Sequence, residues 1–171
     1  MSTNWEQIYE STWESLVRFL DRKVWDPERA RDLAQETFVR ALATDASIDN
    51  PRAWLFTVAG NLARDEARSA GRKRRHFELI KAEAAGQVEE AEGTDRMDLE
   101  TRRAEVRAAL SELTERDRDI LLLWDAGLSY GEIAEQSGLT LGAIGTTLAR
   151  ARRRLVEAHA GREQGDHAAH Q

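Results

Sequence analysis

"SYGEIAEQSGLTLGAIGTTLARARRRL", Ser129 to Leu155, is the stretch whose reading decides the fold. Ser129 followed by Glu132 forms a capping box that opens a helix through "IAEQS". Gly138 stands where the chain must turn with a positive φ, a conformation glycine adopts at no steric cost. Thr140 then caps a second helix, "LGAIGTTLARARRRL". Ala134 is small where the two helices cross, and Ile144 points into their shared core, with Leu141, Leu148 and Leu155 continuing the inner side. Two short helices in this register make a helix-turn-helix. Its outward side holds Gly142, Ala143, Gly145, Thr146, Thr147 and Arg150. The early part of such a helix lies in the DNA major groove, and later basic residues meet the phosphates. Arg150, Arg152, Arg153 and Arg154 occupy that later part. The bland alternative is a helical hairpin whose arginines complement the dipole of the helix end.

Upstream of this motif, Val106, Ala109, Leu110 and Leu113 form one apolar stripe, and Thr114 caps a helix carrying Ile120, Leu121 and Trp124 that Gly127 ends. Further back, "AEAAGQVEEAEG" has almost no large apolar side chain, so burial cannot offset its ordering entropy. It reads as a flexible acidic linker. Before it come three more amphipathic helices. The first places Trp5, Ile8, Tyr9, Trp13, Leu16, Val17, Leu20 and Val24 at steps of three and four. The second opens with Asp26 as N-cap and Pro27 at its first position, and buries Ala30, Leu33, Ala34, Phe38, Ala41 and Leu42. The third opens with Asn50 and Pro51 and buries Trp54, Leu55, Val58, Ala59 and Leu62. The fold class is therefore all-α: two small helical domains over 1–78 and 104–160, a linker over 79–103 and a disordered tail over 161–171.

The third helix has an outer face as informative as its inner one. Thr57, Asn61, Arg64 and Arg68 follow at steps of four, three and four, with Asp65 beside them. Arg72, Lys73, Arg74 and Arg75 come next, a concentration of cations in a chain of net charge −6. Arginines supply phosphate contacts, Asn and Asp hydrogen-bond exposed base edges, and Trp54 offers a surface on which an unpaired base stacks. A solvated face with internal Arg–Asp pairs, each worth ~0.3–0.5 kcal/mol, is the alternative.

The 171 residues include no cysteine, which excludes a disulfide framework, a Cys-ligated zinc and a thiol nucleophile. "MSTNWEQIYE" has no charged segment leading into an apolar core, and no run reaches the ~18 apolar residues of a membrane span. The expectation is a cytoplasmic protein without membrane insertion. His76 and His159 fall at the ends of the two domains beside the linker and tail, His167 and His170 fall in the tail, and they make no ligand pair on a helix, so no metal, cofactor or catalytic residue is expected.

"RARDLAQETFVRAL", "NPRAWLFTVAGNLARDEARSAGRKRR" and "LSELTERDRDILLLWDAGLSYGEIAEQSGLTLGAIGTTLARARRRL" together resemble, in order and spacing, the two conserved regions of extracytoplasmic-function (ECF) sigma factors, the small bacterial promoter-specificity subunits of RNA polymerase. The resemblance implies a non-enzymatic initiation factor. Its first domain corresponds to sigma region 2, which binds core polymerase and recognises and melts the −10 element. Its second corresponds to region 4, which reads the −35 element as duplex. The "DLAQETF" helix then docks on core polymerase through Asp32, Leu33, Gln35, Glu36 and Phe38, with Arg29 and Arg40 nearby. The −10 contacts fall on Trp54, Thr57, Asn61, Arg64, Asp65, Arg68, Arg72, Arg74 and Arg75. The −35 contacts fall on Tyr130, Glu132, Gly142, Ala143, Gly145, Thr146, Thr147, Arg150 and Arg153. Members often carry a basic residue where Gly145 and Thr147 stand, which implies a weaker −35 contact or a different base set. The resemblance also implies an anti-sigma protein as a partner. A DNA-binding regulator that works without polymerase leaves the helix around Asp32 to Phe38 without a role, and a small helical enzyme lacks a catalytic cluster.

Overall fold

A computed structural model describes the backbone of residues 3–81 and 94–169, and side chains over 3–75 and 96–162. The chain divides into two units, Met1–Ala91 and Glu92–Gln171. The first contains α1 (Trp5–Val24), α2 (Pro27–Leu42) and α3 (Pro51–Lys81), and the second α4 (Thr94–Ser111), α5 (Glu115–Asp125), α6 (Tyr130–Ser137) and α7 (Leu141–Ala169). Every described element is helical, which establishes the all-α class.

In the first unit the caps fix where the helices begin. Asn4 Oδ1 accepts the N–H of Gln7 at 3.2 Å, Asp26 Oδ1 those of Glu28 and Arg29 at 3.0 Å, and Asn50 Oδ1 that of Ala53 at 3.0 Å. Each of the three helices packs on the other two. Their inner stripes are Thr12, Leu16, Phe19 and Leu20; Ala30, Leu33, Ala34, Thr37, Phe38 and Ala41; and Ala53, Leu55, Phe56, Ala59, Leu62 and Ala63. Each large side chain fully buried here contributes about 1.5–3 kcal/mol. Phe19 meets Phe56 edge to face with centroids 5.3 Å apart. Thr37 is admitted to the core because its hydroxyl donates to the Leu33 carbonyl at 2.7 Å. Leu42, expected inside, is 67% exposed: it is the last residue of α2, one step round the helix from the buried Ala41.

The second unit packs α4, α5 and α6 against α7. Thr114 caps α5, accepting the Asp117 N–H at 3.2 Å. Leu128 N–H bonds the Leu123 carbonyl and Gly127 N–H that of Trp124, a Schellman end that needs the positive φ of Gly127, +86°. Ser129 and Glu132 form their capping box, Gly138 turns with φ +70°, and Thr140 Oγ1 caps α7 through the Ala143 N–H. Ile133, Ile144, Leu148 and Ala151 are fully buried.

Several expectations are corrected here. Leu141, the first residue of α7, is 60% exposed rather than internal. Trp124 is 39% exposed, with the Arg152 guanidinium 3.8 Å above its ring. Helix α4 starts at Thr94, well before Val106, because "TDRMDLETRRAEV" is rich in good helix formers. Helix α7 continues to Ala169 through the tail expected to be disordered, where alanine, glutamate and glutamine support helix in spite of two glycines. The expected linker is helical up to Lys81 and again from Thr94, while 82–93, the stretch read as flexible, lies outside the described residues.

Candidate nucleic-acid interface

The outer face of α3 is built by subtraction. Ala53, Phe56, Ala59, Leu62 and Ala63 turn inward, which leaves Thr57, Asn61, Arg64, Asp65 and Arg68 exposed along the other side. Trp54 is half-buried at the start of that face. Arg64 Nη1 donates to Asn61 Oδ1 at 3.1 Å, and Arg68 and Asp65 lie 3.9 Å apart with their side chains 69% and 73% exposed. A pair so open and so long holds neither partner strongly. Asp65 and Arg68 are therefore available to a ligand at little cost in stability. Arg72, Lys73, Arg74 and Arg75 continue the helix as exposed cations.

Glu66, one position on, turns the other way. Arg29 of α2 donates to it through Nε and Nη2, both at 2.8 Å. The bidentate bond, opposed by burial and aided by the charges of Arg29 and Lys73, holds the Glu66 carboxyl below its ordinary 4.5. The pair fastens the basic half of α3 to α2. Arg29 is thereby fixed in place with its side chain 39% exposed.

The structure splits the residues expected to dock on polymerase. Leu33 and Phe38 are 1% and 7% exposed and belong to the core, so they shape α2 without reaching a partner. Asp32 and Gln35 are exposed, and Glu36, half-buried, accepts from Arg40 at 2.7 Å. Val39 and Leu42, 63% and 67% exposed, lie on the same side as Asp32 and Gln35 at steps of four and three. That apolar end was not among the expected residues.

In the second unit the outward side of α7 is narrower than its spacing suggested. Thr147 is 6% exposed, inside the stripe that runs Ile144, Leu148 and Ala151, so it does not face DNA. Gly145 is half-buried beside Tyr130: a Cβ there lies 3.7 Å from the tyrosine ring. The Glu132 carboxylate accepts the Ser129 N–H at 2.7 Å, a structural duty at a position expected to touch DNA. What remains exposed is Gly142, Thr146, Ala149 and Arg153 at helical spacing, with Tyr130 at the head of α6 and Ala143 half-buried. Thr146 Oγ1 donates to the Gly142 carbonyl at 3.2 Å, which leaves the hydroxyl oxygen able to accept.

Arg150 has an unexpected partner. Its Nη2 and Nε donate to the two oxygens of Asp117 at 2.6 and 3.1 Å, and Arg154 Nη1 lies 3.6 Å from the same carboxylate. The Asp117 side chain is 2% exposed. The Arg150 bond, against burial and with the charges of both arginines, holds its carboxyl below the ordinary 3.8.

Comparison with known proteins gives these surfaces a setting. Residues 8–73 match the family Sigma-70 region 2, and residues 103–155 match Sigma-70, region 4. The chain is 32% identical over 154 residues to the RNA polymerase sigma factor YlaC of Bacillus subtilis, covering 88% of each. The chain belongs to the ECF family of RNA polymerase sigma factors. It is also 38% identical over 133 residues to the ECF sigma factor EcfG of Rhodopseudomonas palustris, covering 75% of this chain and 70% of that one. A co-crystal structure of the sigma factor RpoE with the anti-sigma factor NepR from Bartonella quintana superposes with a TM-score of 0.65 at 26% identity, covering 92% of this chain and 97% of that one.

The matched regions are those that carry the exposed face of α3 and the helix-turn-helix. An ECF sigma factor joins core RNA polymerase and directs promoter-specific initiation. The three features that the sequence reading missed are Asp117, the Arg29–Glu66 pair and the exposed Val39 and Leu42. Only Val39 left a signal, since it lies outside the inward spacing of α2; Leu42, four residues after Phe38, falls on that spacing and is exposed all the same.

Proposed function

We propose a division of labour among the three surfaces of this ECF sigma factor. The outer face of α3, from Trp54 to Arg68, takes the −10 element as a separated strand. Asn61 and Asp65 meet base edges, Trp54 gives a stacking surface, and Arg64, Arg68, Arg72, Arg74 and Arg75 hold phosphates. The helix-turn-helix takes the −35 element as duplex through Tyr130, Gly142, Ala143, Thr146, Arg150 and Arg153. Asp32, Gln35, Glu36, Val39 and Leu42 on α2 meet core polymerase. The observation that carries this reading is the exposure of Thr57, Asn61, Arg64, Asp65 and Arg68 along one side of a helix whose other side is core.

The polymerase makes the phosphodiester bonds, and the sigma factor contributes no catalysis of its own. The site of action is the cytoplasm, where polymerase and promoter meet; no helix among the described residues is long and apolar enough to cross a membrane. An anti-sigma protein is a proposed partner, since the Bartonella quintana protein was crystallised with one.

Run-off transcription with core polymerase, with start sites mapped, tests the assignment. Asn61→Ala and Arg68→Ala lower promoter opening while leaving polymerase binding near wild type. Gln35→Ala and Val39→Asp weaken polymerase binding first. If all four variants changed only thermal stability, the assignment of surfaces would be wrong.

A further inference from the structure

We propose that Asp117 is a positioning residue for the duplex contact of α7, holding Arg150 so that its guanidinium meets a phosphate already ordered. The inference rests on the reading above that Arg150 faces promoter DNA. Asp117 lies in the first turn of α5, 33 residues from its partner, with its carboxylate nearly sealed from water. Its two oxygens take Nε–H and one Nη2–H of Arg150 in parallel, which uses one edge of the guanidinium. A guanidinium has five N–H groups. The two on Nη1 and the second on Nη2 form another edge, and the Arg150 side chain is 40% exposed. That edge suits a phosphate oxygen pair. Arg154 approaches the same carboxylate, so one negative charge faces two positive ones and the cluster stays attractive to an anion.

An arginine fixed on a phosphate gives up most of its rotamer freedom on binding. Here Arg150 has given it up in the free protein. Preorganisation of one such side chain tightens binding by roughly two- to tenfold. Of the exposed side chains around it Thr146 and Ala149 add no cation, and Arg153 carries the next one along the helix. The fixed arginine sets the register of the helix on the backbone.

The test uses the full chain reconstituted with core polymerase and a fluorescent duplex taken from upstream of a start site mapped with that holoenzyme. Affinity is measured across a salt series, with folding followed by circular dichroism. Asp117→Asn is expected to weaken the duplex contact roughly two- to tenfold with an unchanged salt slope, because both arginines keep their charge. Arg150→Ala is expected to weaken it and to make the slope shallower by about one, and adding Asp117→Asn to Arg150→Ala brings no further loss. Leu20→Val, a destabilising core change in the first unit, leaves duplex affinity unchanged. Wild-type or tighter binding by folded Asp117→Asn overturns the proposal. Wild-type binding by Arg150→Ala overturns instead the assignment of Arg150 to DNA. Where Asp117→Asn fails to fold, Arg150→Lys keeps the charge and loses the fork; it is expected to weaken binding by the same factor, and wild-type affinity for that variant overturns the proposal.

Discussion

Asp117 carries its charge where water hardly reaches, and this has a consequence for stability as well as for DNA. Its folded carboxyl titrates below the ordinary 3.8, chiefly through the Arg150 bond. A group whose pKa is depressed on folding stabilises the fold fully above its unfolded value and loses that contribution as pH falls towards the folded value. The advantage of wild type over Asp117→Asn should thus be constant above about pH 5 and shrink below about pH 4. Thermal melts of the two proteins across that range check it; a gap that stays constant down to pH 3 would count against the ion pair. None of this was legible in the sequence, because the partners stand 33 positions apart and a single Asp in a helix first turn already has a reason to be there. The same holds for Arg29 and Glu66, 37 apart. Leu33 and Phe38 are buried as the apolar period of α2 indicates, and it is the family resemblance alone that also placed them among the docking residues. A motif read as a continuous string mixes the side of the helix that faces inward with the side that faces out.

Helix starts and stops were the most legible features, because they depend on groups within three or four residues of one another. Asp26, Asn50, Thr114, Ser129 and Thr140 all cap as the sequence indicates. Helix extension was less legible, since α4 and α7 run on through residues with no apolar period to mark them. The second element of the helix-turn-helix also explains what its small residues do. Gly145 sits beside Tyr130, yet a Cβ placed there makes only ordinary contact at 3.7 Å, and the backbone is helical. The position therefore accepts a Cβ without displacing its neighbours. Gly145→Arg should remove the helix penalty of glycine, about 0.5–1 kcal/mol, and add one phosphate contact, making the salt slope of duplex binding steeper by about 0.9. Melting temperature and duplex affinity should rise together. A rise in the first without the second would place Gly145 away from the DNA.

At the scale of the whole molecule, two units with separate cores carry two cationic surfaces on a chain of net charge −6. Neither surface is large, and general attraction to DNA is weak for an acidic protein at physiological salt. Covalent connection compensates. Once one unit is seated, the other meets its element at an effective concentration in the millimolar range for a short linker. Each unit has its own helical core, so cutting the chain between Ala91 and Glu92 removes the covalent connection and leaves both cores whole. The two halves supplied together at micromolar concentration with core polymerase should then give promoter-specific transcript reduced by roughly 10²–10³-fold against the intact chain. Raising the concentration of the second half should recover it in proportion. Full transcription from the first half alone would mean that the −35 contact is dispensable. A loss that no excess of the second half repairs would mean that the connecting residues themselves act on the polymerase. Recovery with concentration is the outcome expected if the helix-turn-helix, with glycine rather than a cation at 145, contributes a weak −35 contact.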